Sequence, residues 1–324
     1  MSTYIGRFAP SPTGPLHAGS LVAAMASYLD ALVHGGHWLL RIDDADLSRV
    51  RPSAAHTIAQ QLRHYGLQWQ GEITHTQDYH SQHQAALRTL LSQGCLYGCA
   101  CTRQDTAHMA LNRASGERVY SGACQTLALS PQHPSCRAVR LRVGNAHTSF
   151  VDRWAGEQHT PLATSAGDFI VWRPEHVARQ GGLQAGQAIG QAVAQQQALR
   201  DNPFHGGACS YQLTMPCDDA AQGVTHVVRG ADLLSSTAKQ VFVYASLGLT
   251  QPSYLHVPVV LMESGRKLSK QNHAPPLPST DPVPELERAL AHLGCAASAQ
   301  GSVTSFWRSA AAAWAQRLRR LPLL

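Results

Sequence analysis

No stretch of the sequence approaches the run of about eighteen apolar residues that a membrane-spanning helix requires, so neither a transmembrane segment nor a membrane partner is expected. The N-terminus, MSTYIGRFAP, has neither the basic start nor the apolar stretch of a secretory leader. No dense basic block occurs, although 26 Lys and Arg against 20 Asp and Glu give a net charge of +6 and a pI near 9.0. That balance is compatible with a nucleic-acid partner without pointing to one. There is no internal repeat. What is present is a chain of 324 residues with 44% hydrophobic content, enough for one large domain with appendages or for two ordinary domains. A monomeric cytoplasmic enzyme is the default expectation. In a reducing compartment the eight cysteines (95, 99, 101, 124, 136, 209, 217 and 295) are not expected to form disulfides, so any cluster among them raises the question of metal.

Hydrophobic periodicity organises the chain. YIGRFA (4–9) reads as a buried strand, followed by a loop of Pro10, Pro12, Gly14 and Pro15. Residues 18–34 read as a helix with Leu21, Met25, Tyr28, Leu29 and Leu32 on one face and Gly35-Gly36 as its stop. HWLLRI (37–42) is a second strand, ending at Asp43 and Asp44. This βαβ unit predicts a parallel sheet of Rossmann type, with ligands bound at the carboxyl ends of its strands. Helices are predicted at 53–65 and 79–93 and strands at 138–143 and 168–173, after which VTHVVRGADLL (224–234), a helix at 237–247 and HVPVVL (256–261) lead toward residues 267–271. The cysteine-bearing stretch 95–136 reads as an inserted subdomain, and 174–208 as a surface insertion with a helix at 185–200. NHAPPLPSTDP (272–282) is a linker by its prolines, and two helical stretches, 284–294 and 303–320, follow.

The first of these loops carries chemistry. Gly19 falls in the opening turn of the predicted helix, where no side chain blocks a phosphate and the free N–H groups and dipole favour an anion. His17, just before it, can donate to phosphate oxygens. Far along the chain, KLSKQ (267–271) carries Lys267 and Lys270, which on their own read as a solvated surface stretch. CAC (99–101) and YSGAC (120–124) offer three thiolates and one phenol, with Cys136 and His108 as rival fourth ligands of a tetrahedral site. The remaining cysteines are scattered and read as inert buried thiols.

RFAPSPTGPLHAGS (7–20) resembles the first signature of the glutamyl-tRNA synthetases and their close relatives, a class I aminoacyl-tRNA synthetase family, and KLSKQ resembles the second. The resemblance spans roughly residues 4–282. It implies a class I α/β Rossmann-type catalytic domain (1–94 and 137–271), an inserted zinc-binding subdomain (95–136) and a short helical C-terminal region (272–324). It implies ATP, accompanied by Mg²⁺, at His17, Gly19, Ser20 and Lys270, with His17, Gly19, Lys267 and Lys270 catalytic. L-glutamate is implied near Arg7, Ala9, Ser11, Asp43, Tyr211 and Arg229. Arg229 is a sensible bidentate partner for a side-chain carboxylate, with Asp232 as its structural alternative. The family usually has Glu where Asp43 stands, one methylene longer.

The short relatives in this family, the glutamyl-Q tRNA(Asp) synthetases, carry C-x-C and Y-x-x-x-C as ligands of one structural zinc ion, which implies Cys99, Cys101, Tyr120 and Cys124 here. KLSKQNHAP (267–275) and the absence of a long anticodon-binding region after Gln271 resemble the same branch. What this implies is glutamyl-adenylate formation without tRNA, then transfer to queuosine at the wobble position of the tRNA(Asp) anticodon stem-loop. The rivals are a discriminating glutamyl-tRNA synthetase charging the tRNA 3′ end and a catalytically inactive synthetase-like RNA-binding protein. The family also carries an apolar strand ending in Asp-Asp after the tyrosine. Here that segment reads LTMPCDD (213–219), and Pro216 predicts a strand that is short or at a sheet edge. The helix at 305–321, with Trp307, Trp314, Arg308, Arg317, Arg319 and Arg320, is expected to pack on the domain.

Overall fold

A computed structural model describes residues 3–113, 115–127, 129–174, 202–262, 265, 267–268, 274–297 and 302–321. The helix expected at 185–200 and most of the 174–208 insertion lie outside the described residues.

The predicted βαβ unit forms as β1 (Ile5–Phe8), α1 (Ala18–Val33) and β2 (His37–Ile42). Helix α1 starts where His17 accepts the Ser20 N–H through its side chain, and it ends before Gly35, whose φ of +60° favours glycine. After α2 (Ala54–His64), β3 (Thr74–His75) and α3 (His80–Ser92), the chain enters β4 (Leu96–Cys99). Strands β5 (Ala138–Leu141), β6 (His147–Asp152), β7 (Gly156–Pro161), β8 (Phe169–Pro174) and β9 (Gly207–Cys209) precede α4 (Tyr211–Ala221). Strand β10 (His226–Gly230), α5 (Leu234–Leu247) and β11 (Ser253–Val257) complete the sheets, and α6 (Val283–His292) and α7 (Val303–Arg319) follow.

A seven-stranded sheet runs in the order β3-β2-β1-β10-β11-β6-β7. It is parallel from β3 to β6, with β7 returning antiparallel beside β6. Because β2 lies on one side of β1 and β10 on the other, a topological switch point falls between β1 and β10. Such a sheet opens a crevice there, at the strands' carboxyl ends.

Two cores hold the frame. In the first, Leu21, Met25 and Leu29 of α1 pack with Trp38, Leu40, Ile58 and Leu62, and with Leu286, Leu290, Phe306 and Trp314 of the last two helices. Helix α7 therefore packs on the domain as expected, and it does so against the helix that begins at His17. In the second, a four-stranded antiparallel sheet in the order β4-β5-β8-β9 meets α3, α4 and α5 through Leu87, Leu90, Val139, Val171, Leu213 and Val243. This sheet joins β4, from the inserted stretch, to strands on both sides of it in sequence.

One expectation is overturned. Residues 213–219 are not a strand but the middle of helix α4, which contains Pro216. An interior proline removes one backbone hydrogen bond and destabilises a helix by about 3 kcal/mol. Here the burial of Leu213, Met215, Pro216 and Cys217, and the ion pairs of Asp218 and Asp219, offset that loss. The β6–β7 hairpin was not expected either. Its strand β7, GEQHTP, has no apolar alternation to mark it.

Candidate functional site

A cleft of about 310 Å³ opens at the switch point. Its floor and walls come from Arg7, Phe8 and Ala9 at the end of β1, from Val228, Arg229 and Gly230 at the end of β10, and from Val257 and Pro258 at the end of β11. The loop after β1 contributes Ser11, His17, Gly19 and Ser20, and Tyr211, Asp232, Lys267 and Leu268 close the rest. The fold thus gathers nearly every predicted substrate and ATP residue into one cavity. Asp43 stands just behind its wall and accepts a hydrogen bond from Ser11 Oγ at 2.9 Å. Burial raises its carboxyl above the ordinary value, with the Ser11 hydrogen bond opposing. Lys270 lies outside the described residues.

The N-terminus of α1 faces the cleft. His17 Nδ1 accepts the Ser20 N–H at 3.3 Å, which fixes the ring at the helix start. A Cβ at Gly19 would sit 3.1 Å from His17 Cε1 and 3.2 Å from Nδ1, so a side chain there would press on the ring. Across the cleft, Lys267 pairs with Asp232. Asp232 is thereby removed as the partner predicted as an alternative for Arg229.

Arg229 is 5% exposed, and its hydrogen bonds run to neutral groups. Nε donates to His256 Nε2 at 3.2 Å, Nη1 to Tyr211 Oη at 3.2 Å, and Nη2 to Thr237 Oγ1 at 2.7 Å and Gln240 Oε1 at 2.8 Å. His256 in turn lies with Nδ1 2.7 Å from Asp152 Oδ2. Accepting at Nε2 and donating at Nδ1 assigns the neutral tautomer, in keeping with a pKa lowered by burial and by the Arg229 charge. Among the described residues no carboxylate pairs with Arg229. A buried guanidinium with neutral neighbours at a cleft is a ready counter-charge for an anionic ligand.

Arg7 is held differently. Its Nε and Nη2 donate to the two carboxylate oxygens of Asp219 at 3.0 and 3.1 Å, and Arg41 Nη2 donates to the same carboxylate at 2.6 Å. Burial alone would raise Asp219, but the two guanidinium groups hold it down to about 2. Arg41, Asp219, Thr237, Gln240 and His256 are partners that sequence reading did not single out. The adjacent acids at 218–219, inside an apolar run, were the one signal available.

The second predicted centre also assembles. The Sγ atoms of Cys99, Cys101 and Cys124 lie within 4.8 Å of one another, with Cys101 and Cys124 3.4 Å apart. Tyr120 Oη is 3.4 Å from Cys99 Sγ and 3.6 Å from Cys101 Sγ. A tetrahedral zinc ion with thiolate and phenolate ligands sets neighbouring donors about 3.5–3.8 Å apart, so the four groups fit. Cys136 is turned away, its Sγ donating to Ala138 O at 3.3 Å, and His108 is exposed after a helical turn. Burial would raise the Cys99 thiol, yet hydrogen bonds with Tyr120 and Arg140 bring it to about 7. Cys101 is pushed up to about 11, first by burial and then by its neighbouring thiols, and burial raises Tyr120. Three thiols and a phenol at such close quarters resist ionising together, and a cation among them would be what holds them as thiolates and phenolate. The Arg140 guanidinium lies 3.5 Å from the centre of the Tyr120 ring, a cation–π contact. The ligand loop is seated on the protein by Gly167, where a Cβ would meet Tyr120 O at 2.2 Å. Of the scattered thiols, Cys217 and Cys295 are buried, and Cys95 and Cys209 are half-buried.

Comparison with known proteins places this arrangement. The family described as tRNA synthetases class I (E and Q), catalytic domain, matches residues 5–135 and 205–276. The chain is 43% identical over 318 residues to the glutamyl-Q tRNA(Asp) synthetase of Bordetella bronchiseptica, covering 97% of this chain and 89% of that protein. It is 42% identical over 330 residues to the protein of that name from Burkholderia orbicola, covering 97% of each. Its fold is similar to that of a glutamate tRNA ligase from Elizabethkingia meningosepticum crystallised in complex with its amino acid, with TM-score 0.61 and 22% identity. The match covers 83% of this chain and 52% of that one, so the chain spans about half the length of that ligase. The described helices include none long and apolar enough to cross a membrane. From its catalytic-domain match and its near full-length relatives, the chain belongs to the class I tRNA synthetases of the E and Q family and, within them, to the glutamyl-Q tRNA(Asp) synthetases.

Proposed function

We propose that this protein activates glutamate with ATP to form glutamyl-adenylate without tRNA, then transfers the glutamyl group to queuosine at the wobble position of tRNA(Asp). The observation that carries the amino-acid reading is Arg229, a buried guanidinium without a carboxylate partner among the described residues, at the switch-point cleft that also holds the start of α1. Glutamate binds with its side-chain carboxylate on Arg229 and Tyr211 and its α-amino group toward the Ser11–Asp43 pair. An α-carboxylate oxygen attacks the α-phosphorus of ATP, and the bond to the bridging oxygen breaks to release pyrophosphate. His17, the N–H groups around Gly19 and Ser20, and the lysines at 267 and 270 stabilise the charge that builds on the phosphates. Mg²⁺ accompanies ATP as its counter-ion. The acceptor hydroxyl then attacks the acyl carbon, AMP leaves, and its phosphate takes the hydroxyl proton. Positioning and charge stabilisation do the catalysis, and no protein general base is assigned.

Cys99, Cys101, Tyr120 and Cys124 would hold one zinc ion whose contribution is structural: it ties the loops around 99–101 and 120–124 together. Two assays test the proposal. Glutamate-dependent ATP–pyrophosphate exchange without tRNA is expected, and its absence refutes the activation step. Labelled glutamate should enter tRNA(Asp) only when queuosine is present. Labelling that survives loss of the modified base refutes the acceptor.

A further inference from the structure

Behind the cleft lies a buried chain of charges that links four elements. Arg7 comes from β1, Arg41 from β2, Asp218 and Asp219 from α4, and His83 from α3; each is 4% exposed or less. His83 Nε2 is 2.5 Å from Asp218 Oδ1, and Asp218 Oδ2 is 3.4 Å from Arg41 Nε. Arg41 spends its Nη2 on Asp219 and its Nη1 on Gln222, whose Nε2 donates to Thr74 Oγ1 at 3.0 Å. Asp219 then takes Nε and Nη2 of Arg7, one oxygen each. Among the described residues Arg7 Nη1 makes no hydrogen bond, although Arg7 lines the cleft.

A fork bound along its Nε–Nη2 edge has one orientation, and its remaining donors point away from that edge. We infer that Asp219, braced by Arg41 and the His83–Asp218 pair, is a positioning residue for amino-acid binding: it clamps one edge of Arg7 so that Nη1 is presented to the carboxylate of the bound amino acid. The clamp also cancels the charge of Arg7. Recognition of a second carboxylate is thereby left to Arg229, the guanidinium without an acidic partner. This inference rests on the glutamate reading above. It adds a division of labour, with Arg7 supplying placement and Arg229 supplying charge selectivity.

A purely structural role would pin α4 to β1 and β2 and affect stability alone. The two roles separate in ATP–pyrophosphate exchange. Asp219→Asn offers one acceptor oxygen and turns an amide donor on a guanidinium donor, so the fork loses its register. The KM for glutamate should rise roughly tenfold to a hundredfold, the loss of one charge-assisted contact, while the KM for ATP stays put. Arg7→Lys should raise it comparably, and the double variant should be no worse than Arg7→Lys alone, because both act through one contact. Asp219→Glu retains the charge, is the gentler variant if Asp219→Asn does not fold, and should show the same split in smaller measure. Folded variants in which the KM for glutamate is unchanged, in which both KM values move together, or in which the double variant is additive would overturn the inference. Loss of glutamate-dependent exchange in the unaltered protein would overturn the glutamate reading as well, so the two failures are distinguishable.

Discussion

Replacing Arg229 by lysine is the most exacting test of the amino-acid pocket. Lysine retains the positive charge, yet it presents a point charge where arginine presents a planar fork. In the protein the fork is held by His256, Tyr211, Thr237 and Gln240 at 2.7–3.2 Å, so its orientation is set before any ligand arrives. Those four bonds leave one Nη1 N–H for a ligand carboxylate, and an ammonium on a shorter stem, without the fork's anchors, is not held in place to make that contact. Losing one charge-assisted hydrogen bond is worth about 1.5–3 kcal/mol, or a fall of roughly 10- to 150-fold in kcat/KM for glutamate. The same change strands buried acceptors, Gln240 Oε1 among them, which should cost about 1–3 kcal/mol of stability. Exchange kinetics at subsaturating glutamate measure the first number, and thermal unfolding with and without glutamate the second. Arg229→Gln sharpens the assay, because removing the unpaired cation should collapse the preference for glutamate over glutamine. A lysine variant within about twofold of the unaltered kcat/KM, or a glutamine variant that still discriminates, would refute the assignment.

Gly19→Ala should leave unfolding temperature unchanged or slightly raised, since alanine favours a helix by up to about 1 kcal/mol, while the exchange rate falls roughly tenfold or more as the new Cβ displaces the His17 ring. Equal rates would remove His17 from phosphate stabilisation. Cys101→Ser should lower bound zinc well below one equivalent by elemental analysis, and a native protein that purifies without zinc would dispose of the metal centre. His226, stacked on Tyr4 at 4.0 Å, has its pKa lowered to about 4 by burial and the nearby Arg153 charge. Its folded value lies below the unfolded one of about 6.5, so the unfolded chain takes up the proton first and stability is lost as pH falls through that window. His226→Phe should flatten the unfolding temperature between pH 6.5 and 4, and an unchanged acid limb would count against this source of acid lability.

The parts legible in the sequence were those where one residue type has one physical use. Pro10, Pro12 and Gly14 announced a loop, and the apolar spacing of Leu21, Met25 and Leu29 announced the helix it leads into. The end of β2 at Ile42 followed from HWLLRI, whereas the fourfold donor set at 99–124 came from the family resemblance, since spacing alone left Cys136 and His108 as rivals. What escaped was decided by tertiary contact. Pro216 argues against a helix on local grounds, yet α4 forms because its buried face and its two aspartates find partners far away in sequence. Arg41 gave no sign of being fully buried, since an arginine earns that position only through carboxylates the local pattern does not reveal. Asp43 was expected near the amino-acid substrate, and the hydrogen bond it accepts from Ser11 Oγ, a residue lining the cleft, was not legible in the sequence.

The contact between Trp314 and Asp30 has a consequence for how the chain is made. Trp314 Nε1 donates to Asp30 Oδ1 at 3.3 Å across 284 residues of sequence, and the same carboxylate receives Tyr4 Oη and Arg153. During synthesis the helix capped by His17 emerges well before one of the groups that seal its buried Asp30, which lies 284 residues further along the chain. Nascent chains stopped before residue 303 should therefore carry an unfinished first core and remain open to chaperones and proteases. Native packing of the core beneath α1 would wait on the synthesis of α7.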